Sequence, residues 1–247
     1  MQLLNNHNLL KIDCMPDSTD PGYQTTKRIK QGLQTIDPRF APLATWIAQE
    51  YGVSVINIQK DFMTHNKMLR LLICVDSSAN MATFNESKNR WGGFDALKQT
   101  RVATKYIELA AKRKAVINLQ FWSFFGRMPN SRDIFVAFSC FEDGALMEAN
   151  ESIPQEKITD LLTIFKDDRI WLISRCFSSA TLFVFTDAQK TALKDGVIFN
   201  TIERRYFELL KEYDEFDYWK KELFQLGMDS KQNLDENYQS NWFYYYK

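Results

Sequence analysis

The chain has 247 residues, 31 basic and 31 acidic side chains and only 2 histidines. A chain of this length hides roughly 70% of its unfolded surface, enough for a core that needs no disulfide or metal staple. Balanced charge gives no global electrostatic pull toward nucleic acid or a membrane surface, so neither is an expected partner.

Glycine and proline number 9 and 6, about half the combined ~12% of an average chain, so little of the sequence is set aside for linkers. With 14% aromatic and 45% hydrophobic residues, an ordered, bulky core is expected. Cys14, Cys74, Cys140 and Cys176 show no C-x-x-C pairing, and the last three sit in apolar runs. They read as buried free thiols in a reducing compartment. The first ten residues lack the charged start and unbroken apolar stretch of a secretory signal, and no run of 18 apolar residues follows. A cytoplasmic location is the expectation.

Residues 13–38 hold Pro16, Pro21 and Pro38, half of the six prolines, and residues 1–37 read as a loop-rich lead-in with a brief helix over Thr25 to Leu33. A single compact domain is expected over 38–247. Within it, one arrangement recurs. Pro42 to Tyr51 reads as a helix stopped by Gly52, followed by strands at Val53–Gln59 and Met68–Val75. Arg101 to Arg113 reads as a second helix, leading into strands at Ala115–Gln120 and Ile134–Phe138. Gln155 to Phe165 is a third helix, with strands at Ile170–Ile173 and Leu182–Phe185. The match of Val55–Gln59 with Val116–Gln120 fits duplication. Three helix-strand-strand units favour an α+β fold with a mainly antiparallel sheet covered by helices.

The stripe Ile202, Tyr206, Leu209, Leu210, Tyr213, Phe216, Trp219 and Leu223 predicts one long amphipathic helix over about 199–226, ended by Gly227 and packed on the sheet. Ser230 is placed as the cap of a last short helix. The chain then carries five consecutive aromatics, Trp242, Phe243, Tyr244, Tyr245 and Tyr246. If that run joins a sheet edge, alternation sends Trp242, Tyr244 and Tyr246 to one face.

No phosphate-binding P-loop, dinucleotide fingerprint, nucleophile elbow or zinc-hydrolase pattern is present, and no cofactor is expected. The chemistry-bearing candidates are therefore scattered. Trp91-Gly92-Gly93-Phe94 reads as a turn before a helix, and His65 near Asp61 as a polar hairpin tip. Asp76, Glu142, Asp143 and Asp187 fall at strand ends, where they either cap the following elements or converge on Mg²⁺ in a hydrolase or nucleotidyl-transfer site. Lys27-Arg28-Ile29-Lys30 and Lys112-Arg113-Lys114 suit helix C-termini, and the second lies near Phe121 and Trp122, a conceivable stacking platform. The terminal aromatics combine large contact area with polar handles, which suits docking or a protein interface. The sequence thus favours a non-enzymatic protein-binding role, as an adaptor, inhibitor or toxin-neutralising immunity protein, with the partner a protein of unknown identity.

Overall fold

A computed structural model describes residues 18–64, 67–85, 93–112, 130–194 and 196–247. The fold is α+β, with two three-stranded sheets. They belong to two compact units, one within Pro16–Gly144 and the other within Ala145–Lys247.

In the first unit, Asp20 starts α1 (Pro21–Lys30) by accepting the N–H groups of Gly22 at 2.8 Å and Tyr23 at 3.0 Å. Pro21 sits in the first turn, where its missing N–H costs nothing. This cap sets the helix four residues ahead of the expected start at Thr25. α2 (Ala41–Tyr51) ends at Gly52, whose φ of 66° is the left-handed conformation that favours glycine. The hairpin of β1 (Val55–Phe62) and β2 (Leu69–Val75) is antiparallel. Ser77 then caps the short α3 (Ser78–Ala82), and α4 (Ala96–Lys112) leads towards β3 (Ile134–Cys140).

β3 runs parallel to β2, giving the order β1-β2-β3. One sheet face places Leu71, Ile73, Val136 and Phe138 against Leu43 and Ile47 of α2, with Phe84 and Val102 in the same buried cluster. Phe84 stacks on Phe138 with ring centroids 4.0 Å apart. The opposite face meets α1: the Asn57 amide donates to Thr26 Oγ1 at 3.0 Å and the Gln59 amide to the Gly22 carbonyl at 2.9 Å.

The second unit follows the same order of elements. α5 (Phe141–Ser152) begins in the first unit and continues into the second, followed by α6 (Gln155–Thr163), β4 (Ile170–Cys176) and β5 (Ser179–Val184). Next come α7 (Asp187–Leu193), α8 (Val197–Tyr213) and β6 (Gly227–Ser230), then α9 (Lys231–Tyr238) and α10 (Trp242–Tyr245). Again the hairpin is antiparallel and the third strand parallel, in the order β4-β5-β6. Both hairpins carry a register irregularity at the same place, between Val55 and Asn57 and between Ile170 and Leu172. The Asp76 N–H donates to the Ser54 carbonyl at 3.0 Å, and Phe185 N–H to the Arg169 carbonyl at 3.2 Å, just beyond the two irregularities.

These pairings keep the α+β class and the expected antiparallel hairpins, and correct the single sheet to two, each with one parallel strand. The first and third helix-strand-strand readings are the hairpins of two separate sheets. The second helix reading is α4, and its later strand is β3, which joins β2 in parallel because a helical crossover returns the chain to the same strand end. The earlier strand of that reading, Ala115–Gln120, lies outside the described residues, as do Arg113, Lys114, Phe121 and Trp122. So do Cys14, His65, Trp91 and Gly92.

The helix expected over 199–226 is corrected too: α8 stops at Tyr213, and the last helix of the chain has four residues. Asp214 is the physical cause. Its carboxylate accepts the N–H groups of Tyr218 at 3.0 Å and Trp219 at 2.8 Å, which folds the chain back and replaces helical hydrogen bonds with side-chain ones. Lys211 balances that carboxylate at 2.8 Å. Trp219 is thereby buried, whereas Leu223, assigned to the same stripe, is exposed. Phe199, Ile202, Tyr206 and Leu210 of α8 join Ile173 and Leu182 of the sheet in the second core. Gly227 opens β6 rather than ending a helix; a Cβ there would lie 2.8 Å from Thr181 Oγ1, so any larger residue would force the Thr181 side chain to shift where β6 approaches β5.

Candidate functional site

Parallel strands bring the starts of their following helices to one sheet edge. In the first unit that edge gathers Asp76, Glu142 and Asp143. Glu142 accepts the Ser78 N–H at 2.7 Å, and Ser78 Oγ reaches Asp143 at 3.5 Å. Burial, then the neighbouring Glu142 charge, raises the Asp143 carboxyl above its ordinary range. Asp76 pairs with Lys30 at 2.6 Å. Asp187 belongs to the second unit, where it accepts the Ser230 hydroxyl at 2.5 Å. These carboxylates thus act at helix starts and in ion pairs, and no group of three or more His, Cys, Asp or Glu among the described residues is arranged to hold a metal.

The three described cysteines are free thiols. Burial pushes Cys74 up to about 12 and Cys140 up to about 11, so neither offers a thiolate at neutral pH. Cys176 is only half-buried, short of the expected full burial. Lys27, Arg28 and Lys30 occupy the last turn of α1, where they complement the helix dipole.

In the second unit the same edge is dominated by Asp229, which the sequence reading passed over. Its carboxylate accepts from Lys190 at 2.9 Å, Asn233 at 2.8 Å, the Ser230 N–H at 2.8 Å and the Tyr245 hydroxyl at 2.7 Å. Burial works to raise this carboxyl, but the four donors outweigh it and hold the group below its ordinary range. Burial and the bond to Asp229 raise the Tyr245 phenol. Sequence offered one hint, the Ser230 cap, which is present: Ser230 Oγ accepts the Asn233 N–H at 2.9 Å.

The aromatic run lies over this edge as a helix, where sheet alternation had been expected. Asn241 dictates the change by accepting the N–H groups of Phe243 at 2.9 Å and Tyr244 at 3.4 Å. Helical spacing then sends Trp242, Tyr245 and Tyr246 to one side. Trp242 stacks on Trp171 at 6.0 Å and meets the edge of Phe183 at 5.0 Å. Tyr245 also contacts Phe183, and the Tyr246 hydroxyl donates to Ser174 Oγ at 2.7 Å. Tyr244 points the other way and remains 55% exposed. Phe243 lies beside it, with the Lys247 ammonium 5.8 Å above its ring. Trp171 carries Lys231 in the same manner at 5.5 Å.

A groove lies elsewhere, between α2 and β1. It measures about 490 Å³ and is lined by Ile36, Ala41, Ala44, Thr45, Ala48, Gln49 and Val55. Thr45 and Gln49 are its polar lining residues, and no acidic or basic side chain lines it. No described helix is long and apolar enough to cross a membrane. Comparison of the chain with protein-family models, curated proteins and solved structures gives no match.

Proposed function

We propose that the protein is a non-enzymatic binding module for another protein, as an adaptor, inhibitor or immunity protein, acting in a reducing, cytoplasmic setting. The observation that carries this reading is the division of labour in the aromatic run. Trp242, Tyr245 and Tyr246 hold α10 against the sheet, and the same geometry presents Tyr244, flanked by Phe243 and Lys247, to solvent. A rigidly mounted tyrosine loses little conformational freedom on binding, and such residues are over-represented among interface anchors.

The test is affinity capture with the parent chain and with Tyr244→Ala, followed by calorimetric titration of any purified partner. A partner held by the parent and bound at least about tenfold more weakly by Tyr244→Ala, a loss of ~1.4 kcal/mol, supports the reading, provided that both chains melt together. Equal affinity for the two chains contradicts it.

A further inference from the structure

α10 is joined to α9 by two consecutive residues in the left-handed region, Gln239 at φ 54° and Ser240 at φ 57°. Neither is glycine, so both hold a conformation that L side chains disfavour. The turn is kept closed locally: the Ser240 N–H donates to the Leu234 carbonyl at 3.0 Å, and its hydroxyl donates to Asp235 at 2.6 Å. Beyond the turn, the segment Asn241–Lys247 is bound to the sheet entirely through side chains. Its anchors are the Trp242 and Tyr245 rings on Trp171 and Phe183, the Tyr245 hydroxyl on Asp229 and the Tyr246 hydroxyl on Ser174. None of these contacts depends on the strap and the sheet being parts of one molecule.

We infer that this C-terminal strap exchanges between two copies of the chain. Opening the turn at Gln239 and Ser240 relieves two disfavoured backbone conformations, and the released strap docks on the Trp171–Phe183–Asp229 face of a second copy through the contacts it makes in its own. The occupant is defined by the structure, because the strap and its receptor face are already complementary. A formal net charge of zero leaves no overall repulsion to hold two copies apart. Short connections under strain invite such swaps. The exchange needs no outside partner, so it stands apart from the binding role of Tyr244.

The experiment is light scattering coupled to size-exclusion chromatography over a range of concentrations. Ser240→Pro fixes φ near −65° and removes the N–H that closes the turn, and is expected to lower the dimer dissociation constant roughly tenfold or more. Ser240→Gly relaxes the closed turn and is expected to give less dimer than the parent. Ser240→Pro in a chain ending at residue 240 is expected to be monomeric. A monomeric full-length Ser240→Pro chain overturns the proposal, as does a dimer that persists without the strap. If Ser240→Pro does not fold, the parent and Ser240→Gly chains, incubated at high concentration, decide it: equal dimer fractions, or none in either, overturn it.

Discussion

Glu142 and Gln232 occupy matching positions and make the same two hydrogen bonds. The Glu142 N–H donates to the Asp76 carbonyl at 3.1 Å while its side chain accepts the Ser78 N–H at 2.7 Å. The Gln232 N–H donates to the Phe185 carbonyl at 3.1 Å while its side chain accepts the Asp187 N–H at 3.2 Å. In each unit these bonds tie the helix after the parallel strand to the short helix after the hairpin. The match extends to Ser78 with Cys140 and Asp187 with Ser230, which face each other at the same corner. This shared detail relates the first and third helix-strand-strand readings; Val116–Gln120, the segment whose sequence matches Val55–Gln59, lies outside the described residues.

Because Gln232 makes the bond with a neutral carbonyl, Glu142→Gln is expected to change stability by no more than ~0.5 kcal/mol, whereas Glu142→Ala loses the bond and costs ~1 kcal/mol. Urea unfolding of the two variants checks the difference.

Asn150 is fully buried and its side chain serves three groups. Its amide donates to the Phe177 carbonyl at 2.7 Å and the Ser179 carbonyl at 3.1 Å, and its oxygen accepts the Tyr206 hydroxyl at 2.6 Å. Asn150→Ala leaves the Tyr206 hydroxyl unpaired in the core and removes the bonds to two carbonyls of the β4–β5 turn, and is expected to cost ~2 kcal/mol. Tyr206→Phe removes one bond and costs less. The pair should be non-additive in a double-mutant cycle read by equilibrium denaturation.

Asp229 sets an acid limit on the second unit. A carboxyl whose folded-state value is held below the ordinary aspartate range contributes stability that is present at neutral pH. That contribution fades as pH falls through the ordinary range and is gone below the lowered folded value. Asp229→Asn is expected to cost ~2 kcal/mol at pH 7, and the gap between parent and variant should narrow on acidification. Thermal unfolding from pH 7 down to pH 3 measures it; a gap that widens at low pH contradicts the assignment.

Thiol labelling of the native chain should separate the three described cysteines. Cys176, half-buried at the end of β4, is expected to react before Cys74 and Cys140, whose thiols are buried and raised well above neutral pH. Mass spectrometry of the labelled peptides gives the order.

Local chemistry made the α+β class, both hairpins, the Gly52 stop and the Ser230 cap legible in sequence, because each rests on neighbours in the chain. What escaped was decided at a distance or by competing side chains. Nothing in Ile134–Cys140 states that β3 lies parallel to β2 rather than antiparallel, since the strand is buried in either direction. The apolar stripe through Trp219 and Leu223 reads as helix until Asp214 takes the N–H groups of Tyr218 and Trp219 for itself. Asp229 was invisible because its four donors come from α7, α9, α10 and its own strand end, spread from Lys190 to Tyr245 in sequence. The aromatic run drew notice for its composition, but its faces follow from Asn241, a single capping residue.

The central claim is that α10 is mounted by one set of rings and presents another. Denaturant unfolding of Trp242→Ala beside Tyr244→Ala tests it most directly. Trp242 contacts Trp171, Phe183, Tyr245 and Tyr246, so its loss is expected to cost ~2–3 kcal/mol, somewhat less than a fully buried aromatic. Tyr244 faces solvent, and its replacement should stay within ~0.5 kcal/mol of the parent. Equal stability of all three chains, or a larger loss from Tyr244→Ala than from Trp242→Ala, would contradict the account.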